Sequence, residues 1–192
     1  MSVANASLGH VTQYIALLRG VNVGGITVKS ADLKALFDSM GFEAVRTVLA
    51  SGNVAFEHDG TTGDGTTETS AALKARIEAG LRDRFGYEAW IVLLTRDELE
   101  RVVGAFPFDA QLEGWHPYVL FGSDAAHLAE LAAAAGDVDD ADDVVRAGDG
   151  VLYWHNRRER GVGSAFAKLT AKARFKPTTT NRNLRTLAKL LA

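Results

Sequence analysis

Apolar positions in this chain fall into short continuous runs and into helically spaced sets, and the two patterns alternate. Tyr14-Ile15-Ala16-Leu17-Leu18 is an unbroken run bounded by Gly20 and reads as a buried strand. Ser30 is placed to cap a helix over Ala31–Met40, with Leu33, Leu36, Phe37 and Met40 on one face and Gly41 as its stop. Ala44–Leu49 and Asn53–Glu57 read as strands around a Ser51-Gly52 turn. Residues 58–70 contain no apolar side chain and are rich in Gly, Thr and Asp, so they read as a mobile loop. Ser70 then opens a helix carrying Leu73, Ile77 and Leu81, ended by Gly86. Glu88–Leu94 is a strand, and Thr95 and Glu98 have capping-box spacing at the head of one more helix.

The same succession is predicted again downstream. His116–Phe121 is a strand, and Ser123 starts an alanine-rich helix to about Ala135. Asp143–Ala147 and Val151–His155 form a hairpin around Gly148-Asp149-Gly150. Ser164 starts a helix to about Phe175. Lys176–Thr180 is an edge strand because Pro177 fits only an edge, and Asn181 caps a final helix with Leu184, Leu187, Leu190 and Leu191. The order predicts an α+β protein of two tandem ferredoxin-like halves of βαββαβ type. They span residues 12–105 and 116–192, with 1–11 as a disordered tail, and they repeat element order rather than residues.

Composition narrows the setting. The 192 residues include no cysteine, which removes disulfides, thiol nucleophiles and thiolate metal sites and suits a reducing cytoplasm. The first eleven residues lack the layout of a signal peptide, and no apolar run approaches the length of a membrane span. The net charge of −3 conceals an asymmetry: from Asn156 to Ala192 ten Lys and Arg face one acid, Glu159. Such a segment either meets an anionic partner or packs against the acidic body, notably Asp137, Asp139, Asp140, Asp142 and Asp143.

The glycine-rich stretch Leu17–Ser30 invites a phosphate-loop reading, since backbone N–H groups near a helix start attract anions. Gly20 and Gly25 have Walker A spacing, but Ile26 follows where the lysine belongs, and Lys29-Ser30 arrives three residues late. The five histidines sit singly, so no zinc motif is present, and the Asp139–Asp143 cluster lacks EF-hand spacing. Ser164 and Lys168 have the spacing of a Ser/Lys nucleophile pair, but after Gly161 and Gly163 the serine reads first as a helix cap. Trp115, Tyr118, Tyr153 and Trp154 are candidates for base stacking, with half of them expected in the core.

Tyr14–Gly25 (YIALLRGVNVGG), Ala31–Phe56 and the later Phe106-Pro107-Phe108 resemble the bacterial family known as domain of unknown function 1697. The likeness continues weakly through Ala167-Lys168-Leu169-Thr170 and Thr180–Leu187, where leucine stands at 184 for the family's tryptophan and arginine at 185 for its second asparagine. The resemblance implies an α+β fold and no established activity, cofactor or catalytic residue. It directs attention to Arg19, Asn22, Gly24, Gly25, Ser51, Asn53, Lys168, Arg182 and Asn183 as candidate ligand-binding residues. If these converge between the halves they make a cationic, donor-rich cleft suited to a phosphorylated metabolite, a nucleotide or a nucleic-acid backbone. The alternatives are a small metal-independent enzyme with a site between the halves, and a structural or regulatory interaction module.

Overall fold

Both faces of the Tyr14–Leu18 run are buried, which explains why it carries no polar alternation. The computed structural model describes residues 11–21, 27–49, 52–86, 88, 90–136 and 141–192. The chain runs β1 (Thr12–Leu18), α1 (Ser30–Ser39), β2 (Glu43–Thr47), β3 (Asn53–His58), α2 (Ser70–Phe85), β4 (Ile91–Thr95) and α3 (Arg96–Gly104). The same order follows as β5 (Trp115–Gly122), α4 (Ala125–Gly136), β6 (Asp143–Ala147), β7 (Val151–Arg157), α5 (Ala165–Thr170), β8 (Thr179–Asn183) and α6 (Leu184–Leu191).

The strands make two four-stranded antiparallel sheets with matching orders, β2-β3-β1-β4 and β6-β7-β5-β8. Ile15 lies between Ala55 and Leu94 in the first, and Leu120 between Leu152 and Asn181 in the second. Alternate residues serve different cores. Ala16 and Leu18 point with Val54 and Phe56 toward α1 and α2, meeting Phe37, Leu73, Ile77 and Leu81. Leu120, Leu152 and Trp154 point toward α4 and α5, meeting Leu128, Leu131 and Phe166. The remaining faces, Ile15 and Leu17 from one sheet and Val119, Phe121, Val151 and Tyr153 from the other, share a third core with α3 and α6. Burying each such aliphatic side chain stabilises the fold by about 1.5–3 kcal/mol.

Arginines tie the halves together at the end of α6. Arg46 donates to the carbonyls of Lys189 and Leu190, both at 2.9 Å, and Arg96 donates to that of Leu191. These are carbonyls that a helix leaves without intrahelical donors, at the end where the helix dipole favours positive charge.

Several local expectations shift. Lys29, without a side-chain bond, precedes α1, so Ser30 is its first helical residue rather than its cap. Thr69 caps α2 by accepting from Ala72 N, one residue before the expected Ser70. The capping box of Thr95 and Glu98 is present. Residues 58–70 are ordered by a Thr61–Thr67 bridge and by Asp59 and Asp64 carboxylates that accept from the backbone N–H two residues on. α5 stops at Thr170, whose hydroxyl donates to Ala167 O and competes with the helix ladder. The edge strand starts at Thr179, past Pro177, so Asn181 pairs with Leu120 and Asn183 is the cap of α6. Residues 1–10 of the expected tail lie outside the described residues. Among the described residues no helix is long and apolar enough to cross a membrane.

Candidate functional site

Three of the predicted residues meet where β1 ends and β3 begins. The hairpin places Asn53 opposite Leu17, and Leu18 N donates to Gly52 O at 2.8 Å. Asn53 is fully buried and donates from Nδ2 to Val48 O at 2.8 Å. Arg182 reaches this point from β8. Its Nε donates to Asn53 Oδ1 at 2.6 Å, its Nη2 to Leu18 O, and its Nη1 to Thr180 Oγ1 and Asn181 O, both at 2.8 Å. Burial lowers its pKa to about 10, so the guanidinium is still charged at neutral pH. Arg19 lies beside this group and donates from Nε and Nη2 to Lys176 O at 3.2 and 2.7 Å. Trp90 Nε1 donates to the next carbonyl, Pro177 O, at 2.8 Å, so Arg19 and Trp90 together hold the turn before β8.

The group is an internal polar joint between the sheets, with the Arg182 guanidinium directed at protein acceptors. Lys168 stands apart, exposed on α5, and Ser164 beside it is buried and caps that helix by accepting from Ala167 N. Asn183 accepts from Arg185 N at 3.0 Å, which makes it the cap of α6. Asn22, Gly24, Gly25 and Ser51 lie outside the described residues.

A cavity of about 1020 Å³ lies elsewhere, between α3 and the β6–β7 hairpin. Val92, Leu94 and Val102 form one apolar side, and Phe121, Val151 and Tyr153 the other, with Phe108 as an end wall. The Tyr153 hydroxyl donates to Val102 O at 2.9 Å across the cleft, and burial together with Asp149 pushes its pKa up, so it stays protonated. Gly148 turns the hairpin against this ring: a Cβ there would sit 2.5 Å from Tyr153 Cε2. Charge gathers at the rim. Arg146 donates only to its neighbour Val145 O, and Arg101 has no side-chain hydrogen bond or ion pair among the described residues. Glu98 is committed to its capping box. The cleft therefore combines apolar walls with two guanidinium groups that can serve an anion, and Asp149 on the hairpin adds one further carboxylate. The sequence marks Phe108 through the Phe106-Pro107-Phe108 resemblance, Tyr153 as a stacking candidate and Glu98 through its capping box, but nothing in it groups them with Arg101 and Arg146, which come from α3 and a distant hairpin.

A second pocket of about 660 Å³ borders His58 and Arg76. The Glu68 carboxylate, 2% exposed, takes Arg76 Nε and Nη2 at 2.8 and 2.7 Å, and this pairing holds its pKa below the ordinary value. His58 Nε2 is 2.9 Å from Glu68 Oε2 but off the ring N–H direction, so the contact is not a well-aligned hydrogen bond. Among the described residues no group of three or more His, Asp or Glu side chains is arranged to hold a metal ion.

The basic segment is partly neutralised within the molecule. Arg157 and Arg160 pair with Asp142 at 3.2 and 2.6 Å, and Arg174 pairs with Glu130. Asp143 is buried as an acceptor for Trp154, Asn156 and the Phe166 N–H. Tyr118 stacks on Trp154 within the outer core, and the Arg157 guanidinium lies 4.9 Å over Trp115.

Fold and site define an α+β protein of two antiparallel sheets with a cleft between its halves. The chain belongs to the family described as protein of unknown function (DUF1697), whose model matches residues 11–153. A solved structure, the conserved bacterial protein SP0830 from Streptococcus pneumoniae, is similar with a TM-score of 0.77 at 23% identity, covering 94% of this chain and 97% of that one; this likeness concerns the fold. An unknown protein from Galdieria sulphuraria covers 90% of this chain and 97% of its own at 11% identity, with a TM-score of 0.25. No curated protein matches the chain.

Proposed function

We propose that the protein binds a small anionic ligand with an apolar body in the cleft between α3 and the β6–β7 hairpin. We read each half, 12–105 and 116–192, as a ferredoxin-like unit, on the matching element and strand orders. A cysteine-free chain suits a reducing cytoplasm. One observation carries the functional reading: Arg101, without a protein partner among the described residues, shares with Arg146 the rim of a 1020 Å³ apolar cleft. The predicted anion chemistry is kept, but its cations are moved. Arg182 already serves Leu18 and Asn53, whereas Arg101 and Arg146 have donors to offer. Phosphorylated or carboxylated metabolites, nucleotides among them, fit this description better than a long nucleic-acid backbone, which needs an extended cationic track.

The test is a thermal-shift screen of phosphorylated metabolites, nucleotides and short oligonucleotides at low and high salt. A small anion should stabilise the protein, and Arg101→Ala with Arg146→Ala should weaken it by about tenfold or more, the effect of losing a charge-assisted hydrogen bond. Binding indifferent to both substitutions and to salt would overturn the proposal. Oligonucleotide binding that ignores them would return the function to the basic segment.

A further inference from the structure

His155 on β7 is 4% exposed, and its surroundings are aromatic. Its ring stacks on Phe108 with centroids 5.4 Å apart and planes 11° from parallel. It meets Trp115 at 4.8 Å and presents an edge to Phe106. Its cross-strand neighbours are Pro117 and Val144. Nε2 is buried with no hydrogen-bond partner among the described residues. Phe106 and Phe108 belong to the segment that joins the halves, and Trp115 closes it at the start of β5. The imidazole is thus one of the points where that segment is fastened to the second sheet, beside the edge of Phe106 on Tyr153 and the Arg158 N–H bond to Gly114 O.

Such a box accepts a neutral ring. A charged one would lose its hydration with no acceptor at Nε2. The charged groups facing it are few. Asp109, on the segment itself, favours the proton, and the Arg157 guanidinium lies over the neighbouring Trp115 ring. Pro117 and Val144 carry no charge. Burial outweighs Asp109, and the pKa falls below the ordinary value of 6.5.

From this geometry we propose that His155 is an acid-released latch: neutral, it holds residues 106–115 on the second sheet, and protonated, it leaves the box and frees them. Phe108 also walls the cleft, so release widens it; the consequence for ligand affinity rests on the cleft being the binding site. The sign follows from linkage. A histidine with a lower pKa in the closed state strengthens closure fully above its released-state value, and that contribution is lost as pH falls through the closed-state value. Between the two values the opening constant grows about tenfold per pH unit, one proton per opening.

The test is hydrogen exchange on the full chain from pH ~8 to ~5, read as protection factors so that the intrinsic pH dependence cancels. The informative amides are Leu112, Trp115 and Arg158, which bond to Asp109 O, Leu112 O and Gly114 O. Their protection should drop as pH falls below the ordinary histidine value, by at most about tenfold per pH unit, while β1 amides hold. His155→Phe, which keeps a ring in the box and has no titrating nitrogen, should be flat. Unchanged protection in the natural chain, or the same drop in the variant, would overturn the latch. The imidazole nitrogen shifts of His155 in the unaltered chain give a readout independent of any variant. Titration below 6.5 supports the latch, and titration at or above 6.5 overturns it. If the segment opens but ligand affinity does not change, the cleft reading fails and the latch stands. If ligand binds in the cleft while the segment stays shut, the latch alone fails.

Discussion

Arg182 Nε donates to Asn53 Oδ1 at 2.6 Å, joining the last strand of the second sheet to the first sheet. Removing the guanidinium would take away the donors it gives the buried Leu18 carbonyl and Asn53 Oδ1. Arg182→Ala should therefore destabilise by about 2–4 kcal/mol in urea denaturation, the cost of lost hydrogen bonds to buried neutral acceptors. Arg182→Lys should restore less than half of that, because a compact ammonium cannot reach acceptors spread around a planar fork. A loss below about 1 kcal/mol would mean that water replaces the side chain. Asn183→Ala, which removes only a helix cap, should cost about 1 kcal/mol.

Gly52 supports the same joint. Its φ is +67°, and a Cβ would lie 2.7 Å from Val21 Cγ2 and 2.9 Å from Leu18 Cβ. Gly52→Ala combines backbone strain with overlap and should cost about 2–4 kcal/mol. Gly20→Ala, at φ +78° with nothing within 4 Å, should cost only the strain, about 1–2 kcal/mol. Equal losses by thermal unfolding at the two positions would show that the overlap relaxes freely.

Asp143 is the anchor of the second half's outer layer. It accepts from Trp154 Nε1 and Asn156 Nδ2 at 2.8 Å and from Phe166 N at 2.7 Å. Asp143→Asn turns an amide NH2 toward at least one of these donors and should cost about 2–4 kcal/mol. Near-ultraviolet circular dichroism, sensitive to Trp154, should change with it.

Glu68 sets an acid-side prediction. Its Arg76 hydrogen bonds keep its pKa lower in the folded state than in the unfolded chain. Its contribution is present above the ordinary value of 4.5 and is lost as pH falls through the folded-state value. Glu68→Gln should be about 1–3 kcal/mol less stable than the natural protein near neutrality, and the gap should narrow in acid. A gap that stays constant with pH would show that the carboxylate's charge is not what matters.

Much of the architecture was legible because periodicity reports it directly. The Tyr14–Leu18 run, the Leu73, Ile77 and Leu81 spacing, and the Thr95–Glu98 box each specify a local geometry. The starts expected at Ser70 and Asn181 differ because Thr69 and Ser70, and Asn181 and Asn183, can all cap and tertiary pairing chooses among them, as Leu120 does in pairing with Asn181, whereas at Ser30 the helix begins without a side-chain cap. The candidate site was legible only in part. Arg19, Asn53 and Arg182 do come together, yet a sequence cannot say whether converging donors face solvent or protein carbonyls. Arg101, Arg146 and Tyr153 come from segments remote in the chain, and although Tyr153 is a stacking candidate in the sequence, nothing there links it to the two arginines.

The most direct test of the binding claim is isothermal titration of the best anionic hit into the natural protein and into the Arg101→Ala, Arg146→Ala double variant, with Lys168→Ala as the control. The cleft account predicts that the double variant loses about tenfold or more in affinity and that Lys168→Ala, remote on α5, leaves affinity unchanged. Undiminished binding by the double variant, with loss on Lys168→Ala, would contradict it.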